Sequence, residues 1–150
     1  MAEHSISIET WDGEEACAIA ENVSDMYRSV FSLPPFSGDA AEFANQRSYY
    51  PKLVDREGFH LTTARAGDVY AGFGYGFLLP ADTHWWNGLA EPVSAEFARE
   101  DGHRTFALID FGVLQDWRGR GIGRAIHDEL LSRSGAERAT LCPRSFRMTM

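Results

Sequence analysis

Arg118, Arg120 and Arg124 alternate with Gly119, Gly121 and Gly123 in one short stretch, Arg118-Gly119-Arg120-Gly121-Ile122-Gly123-Arg124. Glycines let the backbone approach an anion with its N–H groups unobstructed, and guanidinium groups pair with phosphate in a fork that lysine cannot match. The chemistry on offer is the binding of a diphosphate. A second group lies just upstream. Asp110 is embedded in an apolar run between Ile109 and Phe111, where loss of water favours a protonated carboxyl and suits a general base. The same position also suits a strand carboxylate paired with an arginine such as Arg104. His60, His84 and His103 are further candidate bases. No two of them are spaced like metal ligands, and no metal site is expected.

Two elements must position these groups. Phe106 to Leu114 is almost continuously apolar, as a strand buried on both faces would be. Ile122, Ile126 and Leu130, with Ala125 beside them, recur at helical spacing, so the glycine turn should open a helix that stops at Gly135. A helix start there adds roughly half a positive charge to the anion site. A nucleoside-triphosphate loop needs a lysine after its glycines, and none follows here. A dinucleotide fold needs G-x-G-x-x-G, whereas the third fingerprint position is occupied by Arg124. A nicotinamide-dependent enzyme is disfavoured on that spacing.

The run Arg118-Gly119-Arg120-Gly121-Ile122-Gly123, with Val113 closing the strand before it, resembles the signature of the GNAT superfamily of acyl-CoA N-acyltransferases, a glutamine or arginine followed by x-x-G-x-G/A. The resemblance implies that Arg118, Gly119, Arg120, Gly121, Ile122, Gly123 and Arg124 bind the pyrophosphate of coenzyme A. It also implies that Val113 and Leu114 hold the pantetheine arm. Acetyl-CoA would then be the cosubstrate, a small-molecule or peptidic amine the acceptor, and direct attack of the amine on the thioester the reaction. The implied fold is α/β (α+β), a mixed and mostly antiparallel sheet with helices on both faces.

Composition narrows the rest. With 150 residues, 44% hydrophobic and 24% charged, the chain reads as one globular domain able to bury about 68% of its unfolded surface. It carries no apolar run of membrane-spanning length, and Met1-Ala2-Glu3-His4-Ser5 does not open a signal peptide. No membrane association and a cytoplasmic location are expected. A net charge of −8 argues against nucleic acid as a partner and favours a cationic acceptor such as an amine. Cys17 and Cys142 are too few for a disulfide framework or a zinc site and are expected to be reduced and buried.

In chain order, Ile6 and Ile8 predict a short first strand, with Trp11-Asp12-Gly13 as the turn after it. Glu14 to Phe31 has a 3.6-residue apolar period and predicts one helix. Asp39 to Tyr50 predicts another, with Asp39 as N-cap and Pro51 as its stop. Phe59 to Ala66 and Val69 to Leu79 predict a hairpin, turning at Gly67-Asp68. Gly72, Gly74 and Gly76 share one face of its second strand and leave room either for a packed helix or for a ligand. A long connection from Pro80 to Arg104 contains a short helix near Ser94 to Glu100, and also Trp85 and Trp86, which either stack on a substrate or pin the loop. Ala139 to Cys142 predicts a fifth strand. Against the family pattern, the fold should then lack the usual C-terminal helix and two strands, and this leads to two expectations. A homodimer should cover the open sheet edge, visible by size-exclusion chromatography. The alternative to an enzyme is a catalytically impaired acyl-CoA-binding or interaction module left by truncation.

Overall fold

A computed structural model of the chain describes residues 5–141. The strands form one five-stranded sheet in the order β1 (Ile6–Trp11), β2 (His60–Ala66), β3 (Val69–Leu78), β4 (Thr105–Val113) and β5 (Arg138–Leu141), with β2, β3 and β4 buried along most of their length. The first four strands pair antiparallel, and β5 runs parallel to β4. Helices α1 (Gly13–Ala18), α2 (Ala20–Phe31) and α3 (Ala40–Val54) bury Ala16, Val23, Tyr27, Val30, Tyr50 and Leu53 with Phe73, Tyr75 and Ile109 of the sheet. On the other face α5 (Ile122–Ser134) buries Ile122, Ile126 and Leu130 with Phe106 and Leu108. A mixed, mostly antiparallel sheet between helical layers is the architecture expected. Among the described residues no helix is long and apolar enough to cross a membrane.

The glycine face of β3 is explained by α5. A Cβ at Gly72 would lie 2.9 Å from Ile126 Cδ1, and one at Gly74 would lie 2.8 Å from Leu130 Cδ1. Close approach of the helix to the strand requires both glycines, and a ligand is not needed to account for them. Similarly, the two indoles of the long connection hold it down. Trp85 Nε1 donates to Thr140 Oγ1 at 3.2 Å, and Trp86 Nε1 donates to Glu100 Oε2 at 2.8 Å. The same Glu100 oxygen accepts from Thr105 Oγ1 and Arg138 Nη2, which fastens the end of the connection to the roots of β4 and β5. One turn of helix, α4 (Ala95–Ala98), lies inside it, capped by the Ser94 hydroxyl.

Several local expectations are corrected by tertiary packing. The predicted helix from Glu14 to Phe31 breaks at Ile19 (φ −105°, ψ 21°) into α1 and α2. Trp11 belongs to β1 instead of a turn, and its indole donates to Thr63 Oγ1 across the strands. Pro51 does not stop α3. It sits exposed inside the helix, which continues to bury Leu53 and Val54. Burial of those two side chains, worth about 1.5–3 kcal/mol each, offsets the hydrogen bond that proline cannot make. Asp39 caps the other end as expected, accepting from Glu42 N at 3.0 Å. Cys17 is exposed, not buried, and Cys142 lies outside the described residues.

Candidate functional site

The turn between β4 and α5 is where the sequence placed its anion chemistry. Gly119 and Gly121 have φ of 78° and 79°, values that L side chains rarely adopt, and Gly121 is the N-cap of α5. The first intrahelical bond runs from Ala125 N to Gly121 O at 3.1 Å, which leaves the amides at the helix start without intrahelical partners. No side chain caps them, and the first turn carries no acidic residue. A Cβ added at Gly119 or Gly121 would meet nothing within 4 Å. The turn is therefore an open cradle of amides at the positive end of a helix, a fit for a diphosphate.

The three arginines do not converge on it equally. Arg118 reaches back from the turn, Nε donating to the Val113 carbonyl at 3.0 Å, so one of its five donors ties the cradle to the strand end. Arg120 lies over the Trp117 ring at 4.9 Å and donates to Asp116 O at 3.3 Å. Arg124 points along the helix to Asp128 at 3.9 Å, a solvated pair of little energetic weight. Ile122 is buried in the core beneath α5, leaving only its backbone for the cradle. Gly123 brings the helix onto the end of β4, where its Cβ position is 3.5 Å from both Phe111 Cζ and Val113 Cγ2.

Among the described residues, the end of β4 has an edge that no strand covers. Pairing with β5 runs from Thr105 to Leu108, and from Ile109 onward no described strand lies against that side. Leu114 N donates to Ala71 O at 2.9 Å, which makes Gly72↔Val113 and Gly74↔Phe111 the non-hydrogen-bonded pairs of the β3–β4 ladder. The amides and carbonyls of Phe111 and Val113 consequently face away from β3, toward the edge that no described strand covers, where the Val113 carbonyl already accepts from Arg118 Nε. Leu114 is different. Its N–H is taken by Ala71 and its carbonyl by Trp117 N, so only its side chain is left to contribute there.

Asp110 is 2% exposed. The register shifts between Tyr75 and Gly76, so that Tyr75 opposes Asp110 while Gly76 opposes Leu108, and Ile109 is the extra residue of a bulge. Without that bulge, simple alternation would turn Asp110 toward α5 with Phe106 and Leu108. With it, the carboxylate faces α3, where its Oδ2 accepts from the hydroxyls of Tyr49 and Tyr75. Arg104 is not its partner. That guanidinium pairs with Glu137 at 2.9 Å and donates to the carbonyls of Glu96 and Arg99. Behind Tyr75 the polar chain continues, Gln46 Nε2 donating to the Tyr75 hydroxyl at 3.0 Å and Ser24 Oγ to Gln46 Oε1 at 2.8 Å. The sequence reading missed Tyr49, Tyr75, Gln46 and Ser24. The available signal was Gln46, a polar residue in helical register with the buried positions Tyr50 and Leu53 of α3.

The histidines are spent elsewhere or exposed. His60 has Nε2 3.0 Å from Leu130 O and Nδ1 3.3 Å from Gly58 O, and it stacks on Phe106. It lines a shallow cavity of about 250 Å³ with Thr10, Leu78 and Arg133, at the end of α5 opposite the glycine turn. His84 and His103 are exposed.

Burial pushes the phenols of Tyr50 and Tyr75 above the ordinary value of 10.0, chiefly by desolvation, with added repulsion from Cys17 at Tyr50 and from Tyr49 at Tyr75. In the unfolded chain both ionise near pH 10, whereas the native state holds them protonated. Their contribution to stability is therefore intact below pH 10 and declines above it, by up to about 1.4 kcal/mol per pH unit for each phenol. Urea unfolding between pH 8.5 and 11 is expected to show this decline, reduced in Tyr50→Phe and in Tyr75→Phe. A stability that stays level over that interval would contradict it.

Comparison with known proteins agrees with this geometry. The sequence profile of the Acetyltransferase (GNAT) family matches residues 21–143. No curated protein matches the sequence. Among solved structures, the fold is similar to a ribosomal-protein-alanine N-acetyltransferase from Brucella melitensis biovar Abortus 2308, with 18% identity and a TM-score of 0.57 over 93% of this chain and 82% of that one. It is also similar to the aminoglycoside N-acetyltransferase AAC(6')-Iy in complex with CoA, with 12% identity and a TM-score of 0.58 over 99% and 83%. An aminoglycoside acetyltransferase from an uncultured soil metagenomic sample, in complex with sisomicin, is similar at 16% identity and a TM-score of 0.52 over 92% and 77%. With its profile matched over most of its length and its strand, turn and helix in the corresponding order, the chain belongs to the GNAT acetyltransferase family.

Proposed function

We propose that the protein transfers an acetyl group from acetyl-CoA to a primary amine by direct attack. The observation that carries this reading is the open amide cradle of Gly119 to Gly123 set against the edge of β4 that no described strand covers. In this reading Arg118, with the amides at the start of α5, holds the pyrophosphate. Arg120 and Arg124 add to the local positive field around it. Val113 holds the pantetheine arm through its outward-facing backbone, assisted by Phe111, and the Leu114 side chain forms an apolar wall. Bound acetyl-CoA supplies an acyl group activated as a thioester. The chain supplies position and a base. An alkylammonium with a pKa of about 10.4 must lose a proton before attack, at a cost of about 4–5 kcal/mol at neutral pH. Asp110 is the group we assign to take it. Two O–H donors aimed at one oxygen suit a carboxylate, the form that accepts a proton.

The neighbours whose names mention ribosomal-protein alanine and aminoglycosides support an amine acceptor without identifying this one. A cytoplasmic location, a single domain and a homodimer along β5 belong to the same proposal. The last is supported by Leu141, 61% exposed on that edge strand.

A thermal-shift titration with coenzyme A at two salt concentrations tests the site. Stabilisation that weakens at higher salt is expected, because the anion is held by surface charge. Arg118→Ala is expected to remove most of the shift. A wild-type chain that coenzyme A does not stabilise would overturn the assignment. Release of free thiol from acetyl-CoA across an amine panel tests turnover, and binding without thiol release would leave an acyl-CoA-binding module.

A further inference from the structure

The two phenols on Asp110 are not equivalent. On the Tyr75 side the hydrogen-bond chain is closed. Ser24 donates to Gln46 Oε1, which fixes the amide so that Nε2 donates to the Tyr75 hydroxyl, and Tyr75 in turn donates to Asp110 Oδ2, with the Tyr49 hydroxyl beside it. Gln46 and Tyr75 are fully buried and Ser24 nearly so. Burial also raises the Tyr75 phenol well above its ordinary range, so this proton stays where it is. Tyr75 is a permanent donor. Tyr49 is only partly buried, next to buried Tyr50 on α3, and its hydroxyl donates to the enclosed carboxylate. Among the described contacts, the titratable side chains around this network include Tyr49 and Tyr50 from α3, Tyr75 from β3, Tyr27 from α2 and, beside Tyr50, Cys17 from α1.

We propose that Tyr49 relays the proton of the acceptor ammonium to Asp110. This rests on Asp110 being the base of the transfer reaction. In the step, an N–H bond of the ammonium breaks and its electron pair stays on nitrogen. The released proton bonds to the Tyr49 phenolic oxygen while the Tyr49 O–H proton passes to Asp110 Oδ2. The amine becomes neutral, Asp110 becomes a carboxylic acid and Tyr49 is restored. After attack, the second amine proton leaves with the thiol, and Asp110 returns its own proton to solvent by the same path in reverse. Tyr75 holds the carboxylate in place throughout.

The relay makes a demand that a packing role does not, since it matters only for acceptors that arrive charged. Wild type and Tyr49→Phe are compared with an alkyl primary amine on which the panel finds turnover, and with its weakly basic hydrazide analogue, already neutral at pH 7. Tyr49→Phe is expected to lower kcat for the alkyl amine by about 10²-fold at pH 7. The deficit should shrink as the pH approaches 10 and the amine deprotonates in solution. With the hydrazide, the variant should remain close to wild type. Equal losses with both acceptors, or an unchanged alkyl-amine rate at pH 7, would overturn the relay. If Tyr49→Phe does not fold, the solvent deuterium isotope effect on wild-type kcat decides. It should be larger for the alkyl amine than for the hydrazide, and equal effects reject the proposal. A wild-type chain that binds coenzyme A but releases thiol with no amine sinks the transferase reading first, and the relay with it.

Discussion

Asp110→Asn is expected to lower turnover of an alkyl amine by about 10²- to 10⁴-fold, the range lost with a general base, while the midpoint of a coenzyme A titration stays within about twofold. The asparagine amide fills nearly the same volume and its carbonyl can still accept from a phenol, but it cannot take up a proton. Some stability should go with the charge. Two hydrogen bonds to a charged acceptor become neutral ones, each bond to the charged group having been worth about 1.5–3 kcal/mol. The expected signature is thus an intact ligand-induced thermal shift on a less stable protein that turns over slowly. A variant as fast as wild type at pH 7 would remove Asp110 from the chemistry and return the base to a bound water or another side chain.

The largest stability loss is expected from Gly76→Ala. An added Cβ would lie 2.1 Å from the Ala107 carbonyl oxygen and 2.8 Å from Phe106 Cζ. Backbone of a central strand cannot withdraw as a side-chain tip can, so the cost should reach or exceed the upper end of the overpacking range, about 3 kcal/mol. For a chain of this length that corresponds to a fall in Tm of about 6–12 °C. Gly72→Ala is the internal control. Its nearest neighbour is Ile126 Cδ1, a rotatable end at 2.9 Å, and its nearest backbone atom is Gly112 O at 3.1 Å, a full ångström farther than the carbonyl at Gly76, so a smaller loss of about 1–2 kcal/mol is expected. Calorimetry on the two variants separates them, and equal losses would mean that the bulge imposes no special constraint at Gly76. The effect also bears on function, because Gly76 sits at the register shift that turns Asp110 toward α3.

These two positions show what could and could not be read in advance. The strand, glycine turn and helix from Phe106 to Ser134, the stop at Gly135 and the Asp39 cap were legible because each is written in neighbouring residues. The orientation of Asp110 was not, since it depends on one extra residue in β4 that only the pairing with β3 creates. Its partner Tyr49 lies 61 residues away in sequence, and no local period marks it. Pro51 misled for a related reason. A local rule against proline was outweighed by the burial of Leu53 and Val54, two and three residues later. The backbone engagement of Leu114 was equally hidden, because it is set by Ala71 on another strand.

The hydrogen bond from Arg118 to the Val113 carbonyl has a consequence for selectivity. It ties the proposed anion cradle to the strand edge, so in the proposed function the two halves of the site would act as a ruler. A free nucleotide reaches one end only, and a short thiol reaches only the other. In that function a cofactor long enough to span both would gain from each at once, and discrimination by length would arise without any contact to the acyl group itself.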